Sequence, residues 1–155
     1  MCPVRRLSRG SADGPARDNR CVSRENVEIV RRVYESWAKG DFSDPEPYHP
    51  NVRFEMPDWP EGASAHGVEE MSKTWFQALN AWDGFRSEPK EFIAHGPHVL
   101  VRNHITARGR ESGLVVDADT ASVFTLDDGR IVRRALYWNV ERARDAAGLS
   151  ADWSP

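Results

Sequence analysis

A chain of 155 residues has room for one domain with a sizeable core and little room for two. Its composition, 39% hydrophobic and 29% charged with six tryptophans, suits a globular protein and excludes a wholly disordered one. The formal charge is −3, but residues 1–24 carry six Arg against two Asp, so residues 25–155 are distinctly acidic. An acidic body without aromatic–basic interleaving or zinc-finger spacing argues against nucleic acid as a partner.

Residues 1–22 form a basic leader rich in Pro, Gly and Ser, with no periodic face to bury, and are expected to be disordered. Both cysteines, Cys2 and Cys21, fall there. The absence of CxxC or Cys/His metal spacing, of an apolar signal-like core and of an 18-residue apolar run predicts a reduced cytoplasmic protein without a membrane span. The folded domain is placed at 23–150, followed by a tail at 151–155.

A helix is predicted from Ser23, where Val27, Val30, Val33, Tyr34 and Trp37 recur at three- and four-residue intervals before Gly40 stops it. Val52–Met56 alternates as a short strand and Pro57 ends it; 58–67 reads as a loop, with Trp59 over an opening. Val68, Met71, Trp75, Leu79 and Trp82, widened by Phe76, give a second helix. Four strands follow at 85–94, 98–108, 114–126 and 130–140. Gly109–Gly113 and Asp127–Asp128–Gly129 are their turns, and a short helix lies near 141–147. The order predicts an α+β domain with helices on one face of a curved, mainly antiparallel sheet. No Walker, dinucleotide-binding, His-Glu-x-x-His or EF-hand motif is present, so no cofactor is expected.

Three stretches carry a family likeness: Glu28–Phe42 (EIVRRVYESWAKGDF), His49–Phe54 (HPNVRF) and Phe124–Val132 (FTLDDGRIV). Together they resemble the SnoaL-like branch of the nuclear transport factor 2-like superfamily, over roughly Glu25–Leu149. The resemblance implies a cone-like α+β barrel, with the sheet wrapped around N-terminal helices and a largely apolar cavity, and a homodimer. It does not choose a reaction, because the superfamily includes isomerases, epoxide hydrolases and cyclases. The isomerases' base falls near Met56, their acid near Ser122 and their donor Tyr near Val33, beside Tyr34. The hydrolases' Asp-Arg-Asp set falls near Asn103, Ile105 and Leu136, and a cyclase His falls at Ser122. None of these residues has the required chemistry, so no catalytic residue is assigned.

If Met56 and Ser122 face inward, strand parity places Phe54, Thr120, Phe124 and Leu126 beside them, with Val132, Arg134, Leu136 and Trp138 on the inner face of the last strand. The pocket candidates are Tyr34, Trp37, Phe54, Met56, Trp59, Asn103, Thr120, Ser122, Arg134, Leu136 and Trp138, with Trp75 and Phe76 as further aromatic lining. Arg134 is either an anion-binding group or an ion-paired or snorkelling side chain near the rim. Asn103 is a polar residue on an apolar strand face and needs a ligand, a water or a protein partner. His104, Asp117 and Asp119 fall on the opposite face, towards a second subunit, and the five scattered histidines offer no metal spacing.

These features support a binding domain for a small hydrophobic molecule. The alternatives are a cofactor-independent isomerase, cyclase or hydrolase acting on a carbonyl substrate, and a non-catalytic dimerisation domain.

Overall fold

In a computed structural model the residues described are 15–41, 44–58 and 63–149. Helix α1 spans Pro15–Ala38, beginning eight residues before the expected Ser23. Proline suits a first helical turn, where its missing N–H costs nothing. The expected stripe is buried: Val30, Val33, Tyr34 and Trp37 all face the core. Gly40, at φ 86°, ends the helix. Its N–H reaches the Trp37 carbonyl at 2.9 Å, and the Asp41 N–H reaches that of Ser36 at 2.9 Å. This double closure uses the left-handed conformation that glycine adopts without strain.

Strand β1 (Tyr48–Met56) buries Val52, Phe54 and Met56 and forms a hairpin with β2 (Ala63–His66), a strand within the expected loop. Helix α2 (Val68–Asn80) buries Met71 and Trp75, whereas Phe76 is 40% exposed. Trp82, expected on this helix, instead opens β3 (Trp82–His95). Strands β4 (His98–Gly109), β5 (Val115–Asp127) and β6 (Arg130–Tyr137) follow, then α3 (Val140–Ala146). The β5–β6 turn has positive φ at both Asp128 and Gly129, the type I′ geometry that matches strand twist.

The six strands lie in the order β2-β1-β6-β5-β4-β3; β1 and β6 are parallel and every other pair is antiparallel. The expected barrel does not close, because β2 and β3 are both free edges. Pro89 interrupts β3, and the register slips between Pro89 and Glu91, as befits an edge strand. Helix α2 stands between the two edges instead. Trp75 meets Phe54 of β1 edge-on at 6.2 Å and Phe85 of β3 at 5.7 Å.

Two cores flank the sheet. One joins α1 and α2 to Phe54, Met56, Val99, Val101, Phe124, Leu126 and Ile131; the other places α3 against Leu100, Ala121, Val123, Ala135 and Tyr137. The inner parity holds for Thr120, Ser122, Phe124 and Leu126 but not for Val132. A bulge opposite Thr125/Leu126 turns Ile131 into the core and leaves Val132 half-buried. Among the described residues no helix is long and apolar enough to cross a membrane.

Candidate functional site

Antiparallel pairing brings the start of β3, the end of β4, the start of β5 and the end of β6 to one end of the sheet, over α1 and α2. Between them lies a cavity of ≈ 30 Å³, room for one or two waters. Trp37 and Trp75 come from the helices, Trp82, Phe85 and Ser87 from β3, Leu136 and Tyr137 from the end of β6, and Trp138 from the position just after it. Asn103, Ile105 and Ala107 of β4 and Val116, Thr120, Ala121 and Ser122 of β5 complete the wall. Six of the expected pocket residues therefore meet here: Trp37, Asn103, Thr120, Ser122, Leu136 and Trp138.

Tyr34, Phe54, Met56 and Arg134 lie in the adjoining core rather than in the wall, and Trp59 is outside the described residues. Trp82, Phe85 and Ser87 went unrecognised because the apolar spacing carries the α2 pattern through Trp82. The actual strand starts there, and Gly84, at φ 64°, is the local signal of a break.

The polar part of the wall is a buried pair. Asn103 Nδ2 donates to Ser122 Oγ at 3.2 Å, and Asn103 Oδ1 has no protein partner. The buried Tyr34 hydroxyl stands beside both without completing a hydrogen bond, and burial pushes its phenol well above the ordinary value. The ring of Tyr34 meets Trp37 at 4.7 Å and Phe124 at 6.0 Å, both edge-on.

Arg134 is buried rather than at a rim, and among the described residues it forms no ion pair. It is 1% exposed, and its guanidinium carbon sits 4.6 Å from the Trp37 ring centroid, 4.8 Å from Phe54 and 4.5 Å from Trp75. Tyr48 offers it a hydroxyl, but Nε and Nη2 have no acceptor, and no described carboxylate pairs with it. Burial lowers its pKa, opposed by Tyr48 and then Tyr34; a guanidinium nevertheless stays charged in a protein. The same cation acts with a hydrogen bond to oppose the upward push of burial on the Tyr48 phenol. Three aromatic faces provide its main compensation.

On the other sheet face, His104 bridges two carboxylates, with Nε2 2.7 Å from Asp117 and Nδ1 2.9 Å from Asp119. The hydrogen bond to Asp119 is the main cause that raises the His104 pKa. Asp117 and Asp119 therefore lie away from the cavity, as parity requires. Near the mouth, Asp58 accepts from the Asn139 N–H at 3.0 Å and from Arg142, joining the end of β1 to the start of α3 beside Trp138. Among the described residues no His, Cys, Asp and Glu side chains group as a metal site requires.

The model of the SnoaL-like domain family matches residues 30–134, and the chain belongs to that family. An NTF2-like protein of unknown function from Burkholderia pseudomallei shares 21% identity, over 78% of this chain and 95% of its own, with a TM-score of 0.67. A candidate polyketide cyclase from Sinorhizobium meliloti shares 26% over 70% and 93%, at 0.56. A protein of ketosteroid isomerase-like fold from Catenulispora acidiphila, solved with trimethylamine, shares 17% over 83% and 98%, at 0.61. No curated protein matches the chain in sequence. The chain is thus a SnoaL-like domain whose buried aromatic cluster surrounds a small, mainly apolar cavity of the kind that accepts small molecules.

Proposed function

We propose that this domain binds a small aromatic or otherwise apolar molecule and carries it without turning it over. The observation that carries this reading is the cavity wall itself: indole and phenyl rings around a few neutral polar groups, with no Asp, Glu, His, Lys or Cys among the described lining residues. Such a wall desolvates and orients a ligand, but lacks a side chain suited to move a proton near neutral pH. Asn103 Oδ1 supplies one unused acceptor for a ligand N–H or O–H. The resting volume of ≈ 30 Å³ lies far below the several hundred Å³ of occupied ligand pockets, so binding requires half-buried wall residues such as Leu136 and Trp138 to move.

Isothermal titration against a panel of small aromatics tests this reading, with Ala107→Phe filling the space. Saturable binding by the native protein and its loss in a folded Ala107→Phe variant are expected. No binding by the native protein would overturn the reading in favour of a packed interaction domain, which the small resting cavity favours. Turnover of a bound carbonyl compound would replace carriage by catalysis. We further propose a cytoplasmic homodimer as the working unit, supported by the positions of the cysteines and the family likeness.

A further inference from the structure

We infer that the ligand is an anion, and that Arg134 is its counter-charge, acting from behind the Trp37–Trp75 wall. The inference rests on the binding reading above and adds the ligand's charge. A buried guanidinium cannot escape its desolvation cost by losing a proton. Here its polar neighbours are Tyr48 and Tyr34, with no described carboxylate, and two of its nitrogens lack acceptors. Two of the three rings around it, Trp37 and Trp75, are also cavity walls. Leu136, two residues along the same strand, lines the cavity as well. The positive field of Arg134 therefore crosses those indoles into a low-dielectric space whose described walls hold no negative group.

The Tyr34 hydroxyl and Asn103–Ser122 pair adjoin this region and supply neutral dipoles only. Net charge works the other way: at −3 the chain as a whole repels anions, so a preference for them must come from a local cation.

The size of the preference follows from the geometry. The guanidinium lies 4.5 Å from the centroid of Trp75, and a ligand stacked on the far face of that ring adds roughly 3.5 Å. Coulomb attraction over about 8 Å at an effective dielectric of about 20 corresponds to roughly thirty-fold in affinity. Opening the cavity costs the same for two ligands of equal shape, so the ratio reports the Coulomb gain less the extra cost of desolvating a carboxylate rather than an amide.

The test titrates 2-naphthoate and 2-naphthamide into the full chain by calorimetry at pH 7, in 0.15 and 0.5 M salt. The expected result is tighter binding of naphthoate by up to about thirty-fold, with little loss of that ratio at the higher salt, because a buried charge is weakly screened. Arg134→Met should bring the ratio near one, Arg134→Lys should retain part of it, and Arg102→Met on the exposed face of β4 should leave it unchanged. Equal affinities in the native protein would overturn the charge inference and leave the binding reading intact. A preference that vanishes in high salt, or that survives in Arg134→Met, would assign it to another cation. If neither probe binds, the binding reading falls and the charge inference falls with it.

Discussion

Replacing Arg134 by Met should stabilise the ligand-free protein. The three ring contacts, at 4.5–4.8 Å, together contribute roughly 1.5–6 kcal/mol at about 0.5–2 kcal/mol each, and the hydrogen bond to the Tyr48 hydroxyl adds about 1.5–3 kcal/mol. Against them stand a guanidinium desolvation of several kcal/mol and two nitrogens without acceptors, at about 1–3 kcal/mol each. Methionine removes both costs, fills much of the same volume and keeps sulfur–aromatic contacts. The expected change is a gain of about 1–3 kcal/mol, which corresponds to a Tm higher by roughly 2–10 °C for a chain of this length. Arg134→Ala, which leaves a void among Trp37, Phe54 and Trp75, should be less stable than Arg134→Met by about 2–4 kcal/mol. Urea unfolding followed by tryptophan fluorescence measures both. A loss of more than about 2 kcal/mol in Arg134→Met would refute the reasoning, because it would require a partner that stabilises the cation more than the rings do.

Tyr34→Phe removes a buried hydroxyl that completes no hydrogen bond, so its stability should stay within about 1 kcal/mol of native by the same urea titration; a larger loss would show that the hydroxyl is bonded. His104 and His98 should titrate on opposite sides of 6.5 in NMR spectra of their ring protons. The Asp119 hydrogen bond raises the His104 pKa, whereas burial lowers that of His98. The raised value makes the His104 contribution to stability complete below pH 6.5 and lost as pH rises through the folded-state value. The lowered Asp119 value makes its contribution present above 3.8 and lost as pH falls through its own folded-state value. His104→Gln should therefore lose most relative to native between about pH 4 and 6.5, and a pH-independent difference in Tm would refute the coupling.

The elements whose signals are local were legible in the sequence. The α1 stripe, its Gly40 stop and the Asp128–Gly129 turn depend on side-chain period and on φ, both encoded within a few residues. Parity alone placed Asn103, Thr120 and Ser122 on the cavity side and Asp117 and Asp119 on the other. Tertiary features were not legible. Strand β2 contains only Ala, Ser, Ala and His, with no strand preference of its own, and exists because β1 offers a free edge. The bulge that exchanges Val132 for Ile131 leaves no mark in an apolar pair. The open sheet depends on α2 holding the two edges apart, and family likeness implied closure instead. For Arg134 the sequence showed a cation among inward-facing apolar neighbours, but only packing revealed that rings, rather than a carboxylate, surround it.

The parallel pairing of β1 with β6 sets the order in which the chain can mature. Phe54 lies opposite Arg134, 80 residues later in sequence, so the strand that gives Tyr48, Val52, Phe54 and Met56 to the helical core waits for nearly the whole chain before its neighbour exists. During synthesis, the β3–β4–β5 meander can form from local hairpins while β1 and β2 remain a hairpin without their sheet neighbour. Folding must therefore close a long loop late. A ribosome-bound chain ending before Arg130 would present an apolar hairpin to chaperones, and the last strand is the piece that converts that hairpin into part of the sheet.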